Sequence, residues 1–470
     1  MTTSAAQNPS PTKGGSHAGL VLALACGATF LTFLDTTVVN VAFPAIAKSM
    51  PTASFSHLSW IVTGYTTLFA ALLTTAGRYA DVLGHRKIFI GAVAVFTVAS
   101  AACAATVNLE VLVAARAVQG IGAAALIPSA LGLLLVGTPA EKRMAAIGTW
   151  SAAGAVAAVI GPAVGGSLTT WIDWRVIFAI NIPIGLAMIY GAAVRLPSQP
   201  WPRRGPLPDL VGGLLFAVGV GSLVVGLSQA GDWGVTSVGV VVPVVGGLIV
   251  TALGVLRSRG RQTPAIDLTL FRIRSFSAAN VSVALFSAAM YVILLSSPLY
   301  LTNMWHYTLL ESALSVTPGA FASIVVALYL GKRATPAVQR WSAIGGSLVL
   351  VVTAVAMYAL LNDHRSFFVW LPFSLAGGVA AGLVFTALSV AMSTSVPPTQ
   401  FAASSGLLTT ARQVGGSLGI AVMAAMLSGS RAGHPERIRD VWLFCVVVVL
   451  LAIVPALFLP GRRRVEAAEA

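Results

Sequence analysis

Fourteen apolar runs of about 20 residues each, separated by short polar connectors, leave this chain few folds to choose from. They fall near residues 19–43, 58–78, 88–107, 109–135, 143–168 and 176–194, then 210–230 and 237–256. Six more follow near 275–300, 311–331, 342–361, 367–392, 402–428 and 441–460. Hydrocarbon offers no water to backbone amides, so such runs must fold as helices or as strands of a closed barrel. None alternates polar and apolar residues over about ten positions, which excludes barrel strands. The expectation is an all-α polytopic membrane protein with 14 transmembrane helices. With 9% charged residues, the chain lies far below the roughly 25% of soluble domains.

The net charge of +14 raises the question of nucleic acid, but the basic residues are scattered over short connectors. No basic stripe is interleaved with aromatics, so no nucleic-acid partner is expected. Membrane orientation accounts for the excess. With the N-terminus inside, 20 of the 28 Lys and Arg fall on cytoplasmic segments and 6 on external ones. That bias predicts both termini in the cytoplasm. Two connectors fit poorly. The one at 396–400 should be inside yet has no basic residue, and the external one before the last run has Arg431, Arg437 and Arg439. Cys26, Cys103 and Cys445 lie in apolar runs without metal-like spacing, and no metal site is expected.

The last six runs mirror the first six in number and spacing, with a two-run insert between them. GRYADVLGHR at Gly77–Arg86 returns in weakened form as GKRATPAVQR at Gly331–Arg340, with Asp81 replaced by Thr335. VGGSL occurs at Val164–Leu168 and again at Val414–Leu418. These echoes imply two pseudo-symmetric six-helix bundles around a midplane cavity. The predicted division is a disordered cytoplasmic tail at 1–18, a first bundle at 19–194, a linker with two inserted helices at 195–274, a second bundle at 275–460 and a cytoplasmic tail at 461–470.

Of fourteen acidic residues, Asp35 alone lies well inside a run. A carboxylate there costs roughly 2.5–3.5 kcal/mol even on the lenient insertion scale, so it is kept for a task. Arg116 and Gln119 lie one turn apart in the fourth run. Arg116 needs an acid or carbonyl partner, or else snorkels to the interface. Asp35 and Arg116 both lie about 10 Å from the external side at 1.5 Å per residue, so they can meet if their helices face one cavity. Arg412, beside Gln413, lies at mid-depth and either lines the cavity or ties helices together. Gly154, Ala158, Gly161 and Gly165 share a helical face that admits a close backbone, and Pro162 invites a bend. Asp81, with Arg78, Arg86 and Lys87 around it, is placed to latch one conformer against a neighbouring helix. Trp60, Tyr65, Trp150, Met290, Tyr291 and Trp305 are candidates for an apolar cavity wall.

Five strings in order resemble the major facilitator superfamily, and within it the fourteen-spanner drug:proton antiporters. They are LDTTVVNVAFPAI at Leu34–Ile46, GRYADVLGHRK at Gly77–Lys87, RAVQGIGAA at Arg116–Ala124, GAVAAVIGPAVGG at Gly154–Gly166 and SSGLLTTARQVGGSLG at Ser404–Gly419. The resemblance implies the major facilitator fold, with Asp35 and Arg116 in proton coupling or substrate binding. It implies a conformational latch at Gly77, Asp81, Gly84 and Arg86, and an antiporter helix carrying Gly154, Gly161, Pro162 and Gly165. Asn40, Gln119, Arg412 and Tyr65 are expected along the cavity. The implied function is proton-coupled efflux of hydrophobic or amphiphilic, often cationic, drugs by alternating access. Uptake or exchange of a specific metabolite by the same fold is the alternative. No cofactor is expected beyond a proton gradient, and a monomer in the bilayer is the expected working unit. A nucleotide-driven pump is disfavoured because no GxxxxGK[ST] string occurs, and an enzyme because no HExxH string or His/Cys cluster does. The Ala, Val, Gly and Arg bias resembles that of a high-GC bacterium, so the expected location is the plasma membrane.

Overall fold

The computed structural model describes residues 14–139, 142–196, 209–259, 261, 264, 268–331, 335–361, 365–396, 401–427 and 435–459. Most of the two expected tails, the connector at 396–400 and the basic connectors with Arg203, Arg204, Lys332, Arg333 and Arg431 lie wholly or partly outside the described residues. Among the described residues the chain is helical, with no strand.

The first half comprises α1 (Gly14–Ser49), α2 (Phe55–Leu83), α3 (His85–Ala105), α4 (Leu109–Gly137), α5 (Arg143–Trp171), α6 (Val176–Ala179) and α7 (Asn181–Tyr190). Two helices, α8 (Leu210–Trp233) and α9 (Val238–Ser258), follow. The second half comprises α10 (Arg274–Asn303), α11 (Leu309–Gly331), α12 (Pro336–Leu360), α13 (Phe367–Thr394), α14 (Phe401–Leu427) and α15 (Pro435–Ala456). Thirteen described spans are long and apolar enough to cross a membrane, with α6 and α7 counted as one span. The more polar α14, which carries Arg412, Gln413 and several hydroxyls, packs among them as the fourteenth.

Helix ends follow local chemistry. Asn108 caps α4, its Oδ1 accepting from the amides of Glu110 at 2.8 Å and Val111 at 3.2 Å. Gly84 ends α2 and starts α3 at φ 100°, a conformation that a side chain resists. The sixth run was expected as one helix and is broken. Pro183 lacks the N–H that the Ala179 carbonyl needs, so α6 stops there, and α7 closes in a π turn at Gly191–Arg195. The first helix also begins at Gly14, inside the segment expected as a tail.

Packing repeats between the halves. In the first, α1 lies on α5, α2 on α4, and α3 on α4; in the second, α10 lies on α14, α11 on α13, and α12 on α13. The repeated VGGSL string performs the same task in each. A Cβ on Gly165 would sit 2.9 Å from the Val38 side chain of α1, and one on Gly415 would sit 2.0 Å from the Ala284 carbonyl of α10. The halves meet along α2 and α14 and along α5 and α11. Thr66 and Ser417 share a 2.7 Å hydroxyl contact across the first seam, and Thr410 donates to the Ala70 carbonyl at 2.9 Å. The inserted pair rests on this seam through α8, while α9 is largely exposed. Arg257 on α9 closes the pair on Asp209, the capping residue of α8, at 3.0 Å.

Candidate functional site: a buried ion pair and a second-half arginine

The first half encloses a carboxylate with almost no access to solvent. Asp35 is 2% exposed and Arg116 1%. Arg116 Nη1 donates to Asp35 Oδ2 at 2.6 Å and to Gln119 Oε1 at 2.6 Å, while its Nε donates to the Ile61 carbonyl at 3.0 Å. Gln119 Nε2 donates to Asp35 Oδ1 at 2.9 Å and to Ser100 Oγ at 2.8 Å. Asn181 Nδ2 reaches the same Asp35 oxygen at 3.1 Å. Arg116 and Gln119 of α4 and Asn181 of α7 thus converge on the carboxylate that α1 supplies, and they are braced in turn by Ser100 of α3 and the Ile61 carbonyl of α2. The guanidinium also stands 4.2 Å from the Tyr65 ring centroid and 5.7 Å from that of Phe178.

Such a cluster binds charge strongly because water is excluded and three side-chain donors share the Asp35 carboxylate. The Asp35 carboxylate is at once the counter-ion of Arg116 and the shared acceptor of α4 and α7 side chains.

The sequence had named Asp35, Arg116, Gln119 and Tyr65, and the structure brings all four together. Asn181 and Ser100 were missed. The available signal was Asn181 itself, a lone amide in the apolar string AINIPIG. Asn40 is buried elsewhere on α1, with an Oδ1 that has no hydrogen-bond partner.

Gly154, Gly161 and Gly165 place α5 against Thr29, Thr37 and Val38 of α1, so the small-residue face supports the helix that carries Asp35. Pro162 is buried within α5. At the other end of α2, Asp81 stands 3.6 Å from His85 and is 69% exposed. Gly77 packs against Pro128 of α4, and Arg86 donates to the carbonyls of Ala192 at 3.0 Å and Ala193 at 2.7 Å in the π turn. In the second half, Arg412 lies half-buried with its guanidinium 3.9 Å from the Phe385 ring centroid. The Tyr291 hydroxyl donates to Gln413 Oε1.

Trp305, a candidate for the cavity wall, packs in an aromatic group with Tyr300, Tyr307 and Trp370 and is 2% exposed. Trp60 lines a separate groove of about 520 Å³ between α2, α4 and α8 that includes neither Asp35 nor Arg116. Among the described residues, no group of three or more His, Cys, Asp or Glu is placed to hold a metal.

A membrane-spanning helical bundle with repeated halves and a buried acid–base pair inside the first half is a secondary transporter and not an enzyme, as the following family match and relatives show. Residues 25–420 match the sequence profile of the Major Facilitator Superfamily, and the chain belongs to that family. It is 31% identical to the cephamycin export protein CmcT of Amycolatopsis lactamdurans over 94% of this chain and 93% of that one. It is 32% identical to the multidrug resistance protein Stp of Mycobacterium tuberculosis H37Rv, over 87% of this chain and 76% of the relative. Its fold resembles the inward-facing, unoccupied crystal structure of a bacterial homologue of the human lysosomal transporter Spinster, with a TM-score of 0.67 at 15% identity. That match covers 95% of this chain and 98% of that one.

Proposed function

We propose that the protein exports hydrophobic or amphiphilic compounds, antibiotics among them, in exchange for protons. The observation that carries this reading is the Asp35–Arg116 pair, buried at membrane depth and bonded by Gln119 of α4, Asn181 of α7 and the Ile61 carbonyl of α2. Relatives named for cephamycin export and multidrug resistance support the direction and the substrate class.

In this reading the bundles 19–194 and 275–460 rock about the α2–α14 and α5–α11 seams, with 195–274 as a linker whose helices ride on the first seam. Asp35 alternates between the pair seen here and a protonated state in which Arg116 is released. Differential affinity for the two access states, not the binding itself, moves the equilibrium. The latch of Gly77, Asp81, Gly84 and Arg86 biases that equilibrium from the cytoplasmic side. The protein works as a monomer in the plasma membrane with both termini inside.

The test is a toxicity panel in an efflux-deficient bacterial host with and without this chain, paired with dye efflux before and after the proton gradient is collapsed. Increased tolerance that vanishes on collapse is the expected result. Unchanged tolerance across the panel, or efflux indifferent to the gradient, overturns the reading.

A further inference from the structure

Arg412 is a cation at membrane depth for which no anion is placed among the described residues. α10, α13 and α14, the helices around it, contain no Asp or Glu. Asp35 is committed to Arg116, Gln119 and Asn181. Arg412 Nε is buried and makes no hydrogen bond, and the guanidinium is met by the ring of Phe385 and by the nearby Tyr291 hydroxyl. A guanidinium cannot shed its charge, and an aromatic face offsets only part of the cost of holding it away from water. Two neutral neighbours therefore leave the charge uncompensated.

The place of this charge matters as much as its sign. Tyr291 lies within electrostatic range of Tyr65, whose ring covers Arg116. Ser417, one turn from Gln413, touches Thr66, the residue after Tyr65. Arg412 thus stands across the α2–α14 seam from the ion pair. Asp35, Arg116 and Arg412 together carry one net positive charge.

We propose that Arg412, with Tyr291 beside it and Phe385 against its face, is the anion subsite of the transported compound, and that the preferred substrates are amphiphilic carboxylates. This rests on the export reading above and narrows it, turning the charge preference away from the cations that the family resemblance suggests. The carboxylate supplies the counter-ion that Arg412 lacks, and the aromatic rings take the apolar body next to it.

The test is equilibrium binding of matched fluorescent probes to the full chain in nanodiscs, with empty nanodiscs subtracted. N-dansylglycine carries the carboxylate, its amide is neutral, and dansylcadaverine is cationic. Wild type is expected to bind the carboxylate at least about tenfold more tightly than the amide, in line with a charge-assisted hydrogen bond. Arg412→Gln is expected to erase that difference by weakening the carboxylate alone, and Arg412→Lys to keep part of it. Equal affinities in wild type, preference for dansylcadaverine, no saturable binding of any probe, or a preference that survives Arg412→Gln overturns the assignment. If the glutamine variant does not fold, the wild-type comparison and the lysine variant decide. A charge-blind protein that still raises drug tolerance loses this inference alone, whereas loss of both results removes the export reading as well.

Discussion

Arg116 holds Asp35 with one nitrogen at 2.6 Å while its Nε is fixed on the Ile61 carbonyl at 3.0 Å, so one guanidinium ties α4 to both α1 and α2. The geometry makes the pair a joint between helices as well as a charge site. Loss of the Asp35 charge would also loosen that joint.

The two members of the pair should therefore fail differently. Arg116→Gln leaves a buried carboxylate with only amide partners and should lower stability by about 3–5 kcal/mol. Asp35→Asn keeps the shape and one acceptor, and should insert and fold while losing proton-driven transport. Melting in nanodiscs and pH-gradient-driven flux in proteoliposomes read the two effects. The double variant Asp35→Asn/Arg116→Gln should recover part of the lost stability, since the stranded charge is gone. An Asn variant that still concentrates a substrate with the proton gradient would remove Asp35 from coupling.

Glycines of the repeated VGGSL string should be intolerant for steric reasons alone. A Cβ on Gly415 falls 2.0 Å from the Ala284 carbonyl oxygen, a backbone atom that cannot swing aside. Gly415→Ala should cost about 1–3 kcal/mol or more through overpacking of α14 on α10. Gly345, with nothing within 4 Å of its added Cβ, provides the control, and Gly345→Ala should melt within a degree or two of wild type. Equal melting of the two variants would show that α14 has room to move off α10.

The fold was legible because each helix must be apolar over a fixed length, and because small residues recur where helices touch. Asp35, Arg116 and Gln119 stood out as polar groups in apolar runs. Ser100 did not, since a hydroxyl can satisfy itself on its own helix, as Ser100 also does on the Phe96 carbonyl at 2.8 Å. The break at Pro183 was hidden by hydropathy that runs on unchanged across it. The packing of Trp305 among Tyr300, Tyr307 and Trp370 was not legible either, since a sequence does not say which rings will meet.

Orientation can be read directly. If both termini are cytoplasmic, the turn between α8 and α9 is external and the end of α4 is internal. Thr236→Cys should then react with an impermeant maleimide added outside intact cells, while Pro139→Cys, exposed just past the end of α4, should react only after the membrane is opened. The wild-type cysteines, half-buried or buried, set the background. The reverse pattern would invert the topology, and labelling of both from outside would reject the fourteen-crossing parse.

The cytoplasmic latch should act on the balance of conformers, not on folding. Asp81 is 69% exposed and its 3.6 Å approach to His85 is a surface contact, worth no more than about 1 kcal/mol to the fold. Arg86, by contrast, clamps two carbonyls of the π turn that ends α7, and so ties the short α2–α3 connection to the last helix of the first half. Asp81→Asn should leave insertion and melting unchanged yet reduce transport, because a shift of about 1.4 kcal/mol between access states already changes their ratio tenfold. Spin labels on the two faces of the bundle should report an altered ratio of inward-open to outward-open distances. Arg86→Ala should instead lower stability as well as transport, through two lost charge-assisted hydrogen bonds of about 1.5–3 kcal/mol each at most. Lost transport in Asp81→Asn with the conformer ratio unmoved would deny the latch and leave Asp81 a role in assembly.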